Sequence, residues 1–206
     1  MDTKEHRDGI LIIDDHAITR TALIAEIEKF SSDFYVMGEA ADYTSALSQI
    51  ETLKPQIVFL DHVLKTADGL QILDILKTLS CKVFVFTQME DPHVLHHYWK
   101  SSVTALVSKA LEISDLRHAL QSVRQGKRYI SPNLQQIIEA NYKNLLTTRE
   151  IEVIRLISSG RSNKEVAQVL GCTDHTIKTH KANIMEKLGY ANTVEVSVWA
   201  SKNGLI

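Results

Sequence analysis

The sequence predicts an α/β domain built on a doubly wound, five-stranded parallel sheet, followed by a small all-α domain of four helices. In the first part of the chain, short apolar runs alternate with amphipathic stretches, as expected of successive βα units. From about residue 145 the pattern is helical throughout. Two of the apolar runs end in carboxylates, and open parallel sheets bind ligands where their strands end. These observations together predict a binding site at one edge of the first domain's sheet.

The clearest predicted strand is Ile57 to Asp61, because four apolar residues in a row, two of them β-branched, indicate burial on both faces of a sheet. Four further runs have the same character, and a helical stretch follows each of the five. Five βα units in succession imply right-handed crossovers, with helices on both faces of the sheet. We expect strands at residues 10–14, 34–39, 57–61, 82–87 and 105–108, and helices at residues 18–29, 43–53, 70–79, 92–100 and 114–124.

The pattern divides the chain into a first domain at residues 9–125, a linker at residues 126–144 and a second domain at residues 145–206. Gly126 and Pro132 interrupt the periodicity and mark the linker, which has room for one short helix. Residues that favour helix N-termini precede each of the four helices of the second domain. These capping residues are Thr147, Ser162, Thr173 and Asn192.

The composition is that of an ordinary globular protein, with 44% hydrophobic and 23% charged residues. The sequence has neither an apolar run of about 18 residues nor a basic-then-apolar leader, so we expect no membrane span, no secretory signal and a cytoplasmic location. The net charge of -2 is unevenly distributed: residues 1–144 hold 15 Lys and Arg against 19 Asp and Glu, whereas residues 145–206 hold 8 against 6. The second domain is therefore mildly basic, which favours a nucleic-acid partner only weakly.

Five polar side chains fall at predicted strand ends. Asp14 and Asp15 follow the first strand, and Asp61 ends the third. Thr87 ends the fourth strand, and Lys109 follows the fifth. Converging carboxylates are costly unless a hard cation joins them, and the set as a whole fits an Asp nucleophile that accepts a phosphoryl group. The alternative for Asp14 or Asp15 is that it only caps the following helix.

Residues 9–125 resemble the flavodoxin-like receiver domain of two-component response regulators. The resemblance implies that Asp61 is the phosphoacceptor, that a sensor histidine kinase is the phosphodonor and that Mg2+ is the cofactor. It also implies that Thr87 is the switch hydroxyl and that Lys109 binds the phosphoryl group. The implied Mg2+ ligands are Asp14, Asp15, Asp61 and the backbone carbonyl of Val63.

Three positions depart from the receiver pattern. Lys65 stands four residues after Asp61, where the family commonly has Pro, and Gln88 follows the switch hydroxyl, where a small residue is usual. Leu106 takes the place of the usual Tyr or Phe three residues before Lys109. These departures leave phosphoryl acceptance chemically intact. They motivate an alternative, a DNA-binding regulator with an atypical receiver that works independently of phosphorylation.

An enzyme that hydrolyses phosphate esters with an Asp nucleophile is a further alternative. Such enzymes typically need a second acidic residue two positions after the nucleophile, as general acid. Val63 occupies that position here. We therefore expect a regulator and no enzyme.

The third helix of the second domain, which begins after Thr173, has two distinct faces. Ile177 and Ile184 lie seven residues apart on a face that we expect to be buried, and Lys178 and Lys181 lie elsewhere. Lysines attract phosphates, so the spacing fits the recognition helix of a helix-turn-helix in the major groove. On spacing alone, an ordinary four-helix domain with a solvated lysine face fits equally well.

Residues 145–206 resemble a LuxR-type DNA-binding domain over its full length. The similarity lies in the stretches Leu-Thr-Thr-Arg-Glu-Ile-Glu-Val, Ser-Asn-Lys-Glu-Val-Ala and Thr-Ile-Lys-Thr-His-Lys-Ala-Asn-Ile-Met-Glu-Lys-Leu. Together with the receiver it indicates the NarL/FixJ class of response regulators, and it implies a transcription regulator that binds DNA as a homodimer. The implied contacts are to bases from Lys178, Thr179 and Ala182, and to phosphates from Lys164, Lys181 and Lys187.

Overall fold

The computed structural model describes residues 7–64, 67–110 and 113–206. Lys65, at one of the departures from the receiver pattern, lies outside these residues. The strands are β1 (Asp8–Ile13), β2 (Phe34–Ala40), β3 (Ile57–Asp61), β4 (Val63–Leu64), β5 (Ala67–Asp68), β6 (Lys82–Thr87), β7 (Ala105–Ser108) and β8 (Tyr129–Ile130). The helices are α1 (Ala17–Glu28), α2 (Tyr43–Leu53), α3 (Gly69–Leu76), α4 (Pro92–Lys100), α5 (Ile113–Arg124), α6 (Pro132–Ala140), α7 (Thr148–Ser158), α8 (Asn163–Leu170), α9 (Asp174–Leu188) and α10 (Thr193–Lys202), with a 3-10 helix at Tyr142–Asn144.

The chain forms two compact units, and neither is a continuous piece of sequence. The first unit extends to Met89 and resumes at Ser102–Gln135. The second unit consists of Glu90–Ser101 and Gln136–Ile206. Helix α4 therefore groups with the C-terminal helices, although its sequence lies between two strands of the sheet.

The first unit contains one parallel sheet of six strands in the order β2-β1-β3-β6-β7-β8. The prediction of five strands is corrected to six, because β8 is formed by residues that the sequence pattern assigned to the linker. Two residues are too few to show a periodicity, and pairing with the neighbouring strand fixes β8. The N–H of Tyr129 donates to the carbonyl of Thr104 at 3.1 Å, and that of Ser131 to the carbonyl of Leu106 at 3.0 Å. A separate antiparallel pair, β4 and β5, follows β3 along the chain.

The other elements of this unit follow the predicted pattern closely. Strands β3, β6 and β7 and helix α2 begin and end at the predicted residues, as does α4 of the second unit. Helix α3 ends at Leu76, three residues earlier than predicted. The N–H groups of Thr78 and Leu79 there bond to carbonyls three residues back, so the helix tightens into a turn.

The burial and register of β3 determine where its last side chain lies. All five residues of β3 are buried, which confirms that the strand is covered on both faces. Phe59 of this strand stacks on Phe84 of β6, with 4.8 Å between ring centroids. β1 pairs with β3 up to Ile13 opposite Leu60, so the two strands end at the same edge of the sheet.

The second unit is helical, and its helices start at the predicted caps. The side chain of each predicted capping residue accepts a backbone N–H from the first turn of α7, α8, α9 or α10. Ile177 and Ile184 of α9 are fully buried, as predicted. Gly171 and Gly189 end α8 and α9 with φ angles of 64° and 71°, in the left-handed region that favours glycine. No helix in the described part of the chain is both long and apolar enough to cross a membrane.

Helix α4 is held in the second unit by polar and aromatic contacts. Asp91, its N-cap residue, accepts a hydrogen bond from the indole N–H of Trp199 at 2.9 Å. His93 Nδ1 accepts the backbone N–H of Leu146 at 3.2 Å. The rings of His93 and Trp199 meet edge to face, with 6.1 Å between centroids. These contacts join α4 to α10 and to Leu146, which lies two residues before the start of α7.

Candidate functional site

Three acidic side chains lie where β1 and β3 end. Asp61 is the last residue of β3, and Asp14 and Asp15 follow β1. Together with His16, each offers a ligand atom, and all four atoms lie within 4.8 Å of one another. Asp14 and Asp61 are buried, so water solvates their charges poorly and a nearby cation is needed to stabilise them.

Lys109 supplies positive charge to this cluster. Its Nζ donates to Asp14 Oδ2 and to Asp61 Oδ2, at 2.7 Å in each case. Its backbone N–H donates to the carbonyl of Thr87 at 2.7 Å, one residue beyond the paired part of β7. A single ammonium therefore joins side chains from the ends of two strands and is itself held at the end of a third.

This pairing controls the ionisation of both partners. Burial alone would raise the pKa of Asp61, but hydrogen bonds from His62 and Lys109 and the charge of Lys109 outweigh it, and the pKa lies below its usual 3.8. Burial would also lower the pKa of Lys109, but its bonds to Asp14 and Asp61 raise the pKa above the usual 10.5. At neutral pH the carboxylate is ionised and the amine protonated, as a carboxylate nucleophile requires.

His16 contacts both neighbouring carboxylates, although the sequence pattern did not identify it. Its backbone N–H donates to Asp14 Oδ1 at 2.7 Å, and its Nδ1 lies 2.7 Å from Asp15 Oδ1. His16 is the N-cap residue of α1 and no described side chain caps this helix, so the alternative in which Asp14 or Asp15 is only a helix cap is wrong. One Asp14 oxygen accepts the backbone N–H of His16, and the other accepts the ammonium of Lys109. The available signal was a polar residue directly after two acids at a strand end.

The hydroxyl of Thr87 is buried and bound by His62. Thr87 Oγ1 lies 2.6 Å from His62 Nδ1 and accepts the backbone N–H of Met89 at 2.8 Å. The same Nδ1 lies 3.4 Å from Asp61 Oδ1. Sequence analysis missed His62 because the residue follows the strand, where alternation no longer predicts burial.

An open cleft of about 600 Å3, including the solvent at its mouth, leads to these groups. Gln88 is exposed in this cleft, directly after the Thr87 hydroxyl. Leu106 is fully buried in β7 and belongs to the core. The cleft is lined by Asp15, His16, Thr19, Asp61, His62, Val63, Gln88 and Lys109.

In the second unit, α9 carries a group of exposed small and basic side chains. Lys178, Thr179 and Ala182, which we predicted to face bases, are all exposed. Lys181 is half-buried, and its Nζ donates to Asn163 Oδ1 of α8 at 3.1 Å. The face opposite the buried isoleucines is thus open to a partner.

The two other lysines predicted to contact phosphates differ from each other. Lys164 is exposed on the first turn of α8. Lys187 turns inward, and its Nζ donates to Glu150 Oε2 at 2.7 Å and to the carbonyl of Leu145 at 3.1 Å. Its ammonium neutralises a buried carboxylate, so the structure gives Lys187 an internal contact, and its phosphate contact stays a prediction.

Comparisons with known proteins agree with both parts of the chain. The family model "Response regulator receiver domain" matches residues 10–121, and the model "Bacterial regulatory proteins, luxR family" matches residues 144–200. The nitrate/nitrite response regulator protein NarL of Escherichia coli strain K12 is 30% identical over 202 residues, which cover 92% of this chain and 93% of NarL. The chain belongs to the NarL/FixJ class of response regulators.

Other relatives of this response regulator match over nearly their whole length. The transcriptional regulatory protein LiaR of Bacillus subtilis strain 168 is 27% identical over 208 residues, covering 96% of this chain and 98% of LiaR. The structure of RcsB from Salmonella enterica serovar Typhimurium, bound to promoter P1flhDC in the presence of the phosphomimetic BeF3-, has a TM-score of 0.69 and 25% identity. That match covers 95% of this chain and 98% of RcsB. The named relatives are regulators of this class.

Proposed function

We propose that this response regulator accepts a phosphoryl group on Asp61 from a sensor histidine kinase and controls transcription by binding double-stranded DNA as a homodimer. The observation that carries the proposal is the contact of Lys109 Nζ with Asp61 and Asp14, at 2.7 Å each. An ionised carboxylate that lines a cleft, beside a cation that can bind phosphoryl oxygens, is what phosphoryl acceptance needs.

In the proposed reaction, an Asp61 carboxylate oxygen attacks the phosphorus atom of a phosphohistidine on the kinase. A P–O bond forms as the P–N bond breaks, and the departing imidazole nitrogen takes a proton from solvent. The products are an acyl phosphate on Asp61 and a neutral histidine. Lys109 balances the negative charge of the phosphoryl oxygens, and the Thr87 hydroxyl donates a hydrogen bond to one of them.

Mg2+ is part of the same proposal, with the carboxylates of Asp14, Asp15 and Asp61 and the backbone carbonyl of Val63 as its ligands. The three carboxylates supply hard oxygen donors, which Mg2+ prefers, and their ligand atoms lie within 4.8 Å of one another. Bound Mg2+ would supply further neutralisation of the phosphoryl charge.

For the second unit, we propose that α9 enters the major groove of DNA. Lys178, Thr179 and Ala182 would face bases, and Lys164 and Lys181 would face phosphates. The exposure of Lys164, Lys178, Thr179 and Ala182 supports this assignment, as does the promoter bound to RcsB in its structure. Because both the kinase phosphohistidine and the DNA are cytoplasmic, we place the protein in the cytoplasm.

Helix α10 presents an exposed apolar surface that is suitable for homodimer formation. Val194 and Val198 lie four residues apart on this helix, with 71% and 49% of their surface exposed. Apolar side chains exposed on one helix face can pair with the same face of a second copy. Two paired copies would present two α9 helices to two half-sites of an operator.

The test is incubation of the full-length protein with Mg2+ and acetyl phosphate, followed by mass spectrometry and DNA-binding measurements. We expect the mass to increase by one phosphoryl group, together with dimer formation or tighter DNA binding. Asp61→Asn should gain no mass, because the amide is not a nucleophile at neutral pH, and a chelator should prevent the gain in the wild type. Absence of the modification in the wild type would contradict the proposal.

The exposed Gln88 beside Thr87 favours one second candidate, a regulator that does not depend on phosphorylation. It predicts that the untreated protein already binds DNA at full strength. It also predicts that Asp61→Asn leaves DNA affinity and target expression unchanged. Comparing the two proteins in the same DNA-binding assay separates the candidates.

A further inference from the structure

We propose that His62 is a positioning residue that orients the Thr87 hydroxyl as a hydrogen-bond donor toward a phosphoryl group on Asp61. The inference rests on the proposed function, in which Asp61 is the phosphoacceptor. It adds a residue that neither the sequence pattern nor the resemblance to receivers identified. His62 acts on the phosphoryl group indirectly, by setting the direction in which the Thr87 hydroxyl points its proton.

Which of the two His62 ring nitrogens carries the proton follows from what faces Nδ1. That nitrogen lies 2.6 Å from Thr87 Oγ1 and 3.4 Å from Asp61 Oδ1. An ionised carboxylate only accepts hydrogen bonds, so an unprotonated Nδ1 would direct its lone pair at a negative oxygen. The favourable arrangement has the proton on Nδ1, donated mainly to the nearer Thr87 oxygen.

The direction of the Thr87 proton then follows by counting hydrogen bonds. A hydroxyl oxygen has two lone pairs and one proton. Thr87 Oγ1 accepts from Met89 N–H at 2.8 Å and from the His62 ring, so both lone pairs are used. The hydroxyl can make a third hydrogen bond only by donating its proton. Phosphoryl oxygens on the adjacent Asp61 are strong acceptors for such a donor.

The test measures equilibrium binding of beryllofluoride, a phosphoryl mimic, to the full-length protein in Mg2+ by titration calorimetry. His62→Leu keeps the side-chain volume and removes the N–H donor, so we expect affinity to fall about fivefold, the contribution of one ordinary hydrogen bond. His62→Asn carries an amide N–H near the position of Nδ1 and should restore most of the affinity. In a Thr87→Val background, His62→Leu should have no further effect.

The thermodynamic cycle separates the positioning role from a direct effect of His62 on Asp61. Two results would overturn the inference while the wild type still binds the mimic. One is that His62→Leu lowers beryllofluoride affinity equally with Thr87 present and in the Thr87→Val background, and the other is that it lowers the affinity in neither. Failure of the proposed function looks different, because the wild type would then bind no better than Asp61→Asn. A second readout is the imidazole 15N spectrum: a protonated Nδ1 that shifts in Thr87→Val supports the inference, and an unprotonated Nδ1 overturns it.

Discussion

At the residue scale, Glu150 combines two functions in the second unit. It completes the capping box of α7, accepting the backbone N–H and the hydroxyl of Thr147 at 2.8 and 2.9 Å. It also accepts the ammonium of Lys187. Burial would raise the pKa of Glu150, but these bonds outweigh it and hold the pKa below the usual 4.5. The Glu150 residue of the capping box is therefore also one half of an ion pair between α7 and α9.

Lys187→Met should destabilise the protein by about 2 kcal/mol, because it leaves the Glu150 carboxylate, 3% exposed, without its cation. Urea unfolding at pH 7 measures the loss. The matched control is Lys178→Met on the same helix. The Lys178 side chain is 64% exposed and its partner Asp174 is 36% exposed, so this substitution should lower the free energy of unfolding by less than about 0.5 kcal/mol. Equal losses in the two variants would contradict the internal role of Lys187.

The loss of stability caused by Lys187→Met should also depend on pH in a defined direction. Glu150 has a lowered pKa in the folded state, so its contribution is present above pH 4.5 and disappears as the pH falls through the folded-state pKa. The difference between wild type and Lys187→Met should therefore shrink at acidic pH.

At the element scale, α4 shows that the bounds of a helix can be predicted from the sequence without predicting its partners. Its bounds follow from the Asp91 cap and the apolar spacing, both local features. Its partners, Trp199 and the backbone of Leu146, lie far along the chain. The periodicity of apolar residues identifies which face of a helix is buried, but it does not identify the element that packs against that face.

His93 on this helix predicts a dependence of stability on pH. Burial lowers the pKa of His93 from its usual 6.5; the charges of Lys187 and His96 lower it further, and those of Asp91 and Glu150 oppose the shift. The unfolded chain therefore binds more protons than the folded chain below about pH 6.5, and stability is lost as the pH falls. Protonation of Nδ1 would also remove the acceptor of the Leu146 N–H.

The measurement is urea unfolding between pH 7.5 and 5.5. His93→Asn keeps an acceptor for the Leu146 N–H and cannot titrate, so its stability should fall less than that of the wild type over this range. His118→Asn, which changes an exposed histidine of α5, should behave as the wild type does. Identical pH profiles for wild type and His93→Asn would show that this contact is not responsible.

At the scale of the whole molecule, the proposed DNA contacts separate by their dependence on salt. Lys164→Ala removes a phosphate contact, so it should weaken binding to all sequences and reduce the slope of log affinity against log salt by about one. Lys178→Ala removes a base contact and should cost about 1–3 kcal/mol on a selected operator, with relaxed specificity. Lys127→Ala, exposed in the first unit, is the control. If Lys178→Ala affected a random duplex as strongly as the operator, the base contact would be refuted.

Much of the first unit could be predicted, because a parallel sheet brings its strand ends to one edge. Asp14, Asp61 and Lys109 were expected together on that ground, and their side chains do meet. The contact between His62 and Thr87 could not be predicted, because it depends on the direction of a side chain beyond the end of a strand. The six-stranded sheet was missed for a related reason, since β8 is held by its neighbour and has no pattern of its own.

The division of the chain into two discontinuous units has a consequence for modularity. A chimera joined within residues 126–144 would take Asp91 and His93 from one parent, and Leu146 and Trp199 from the other. Such a hybrid preserves each family domain intact and still splits a packed unit in two. In this response regulator, the boundary between the two family domains along the sequence is not the boundary between the two compact units of the structure.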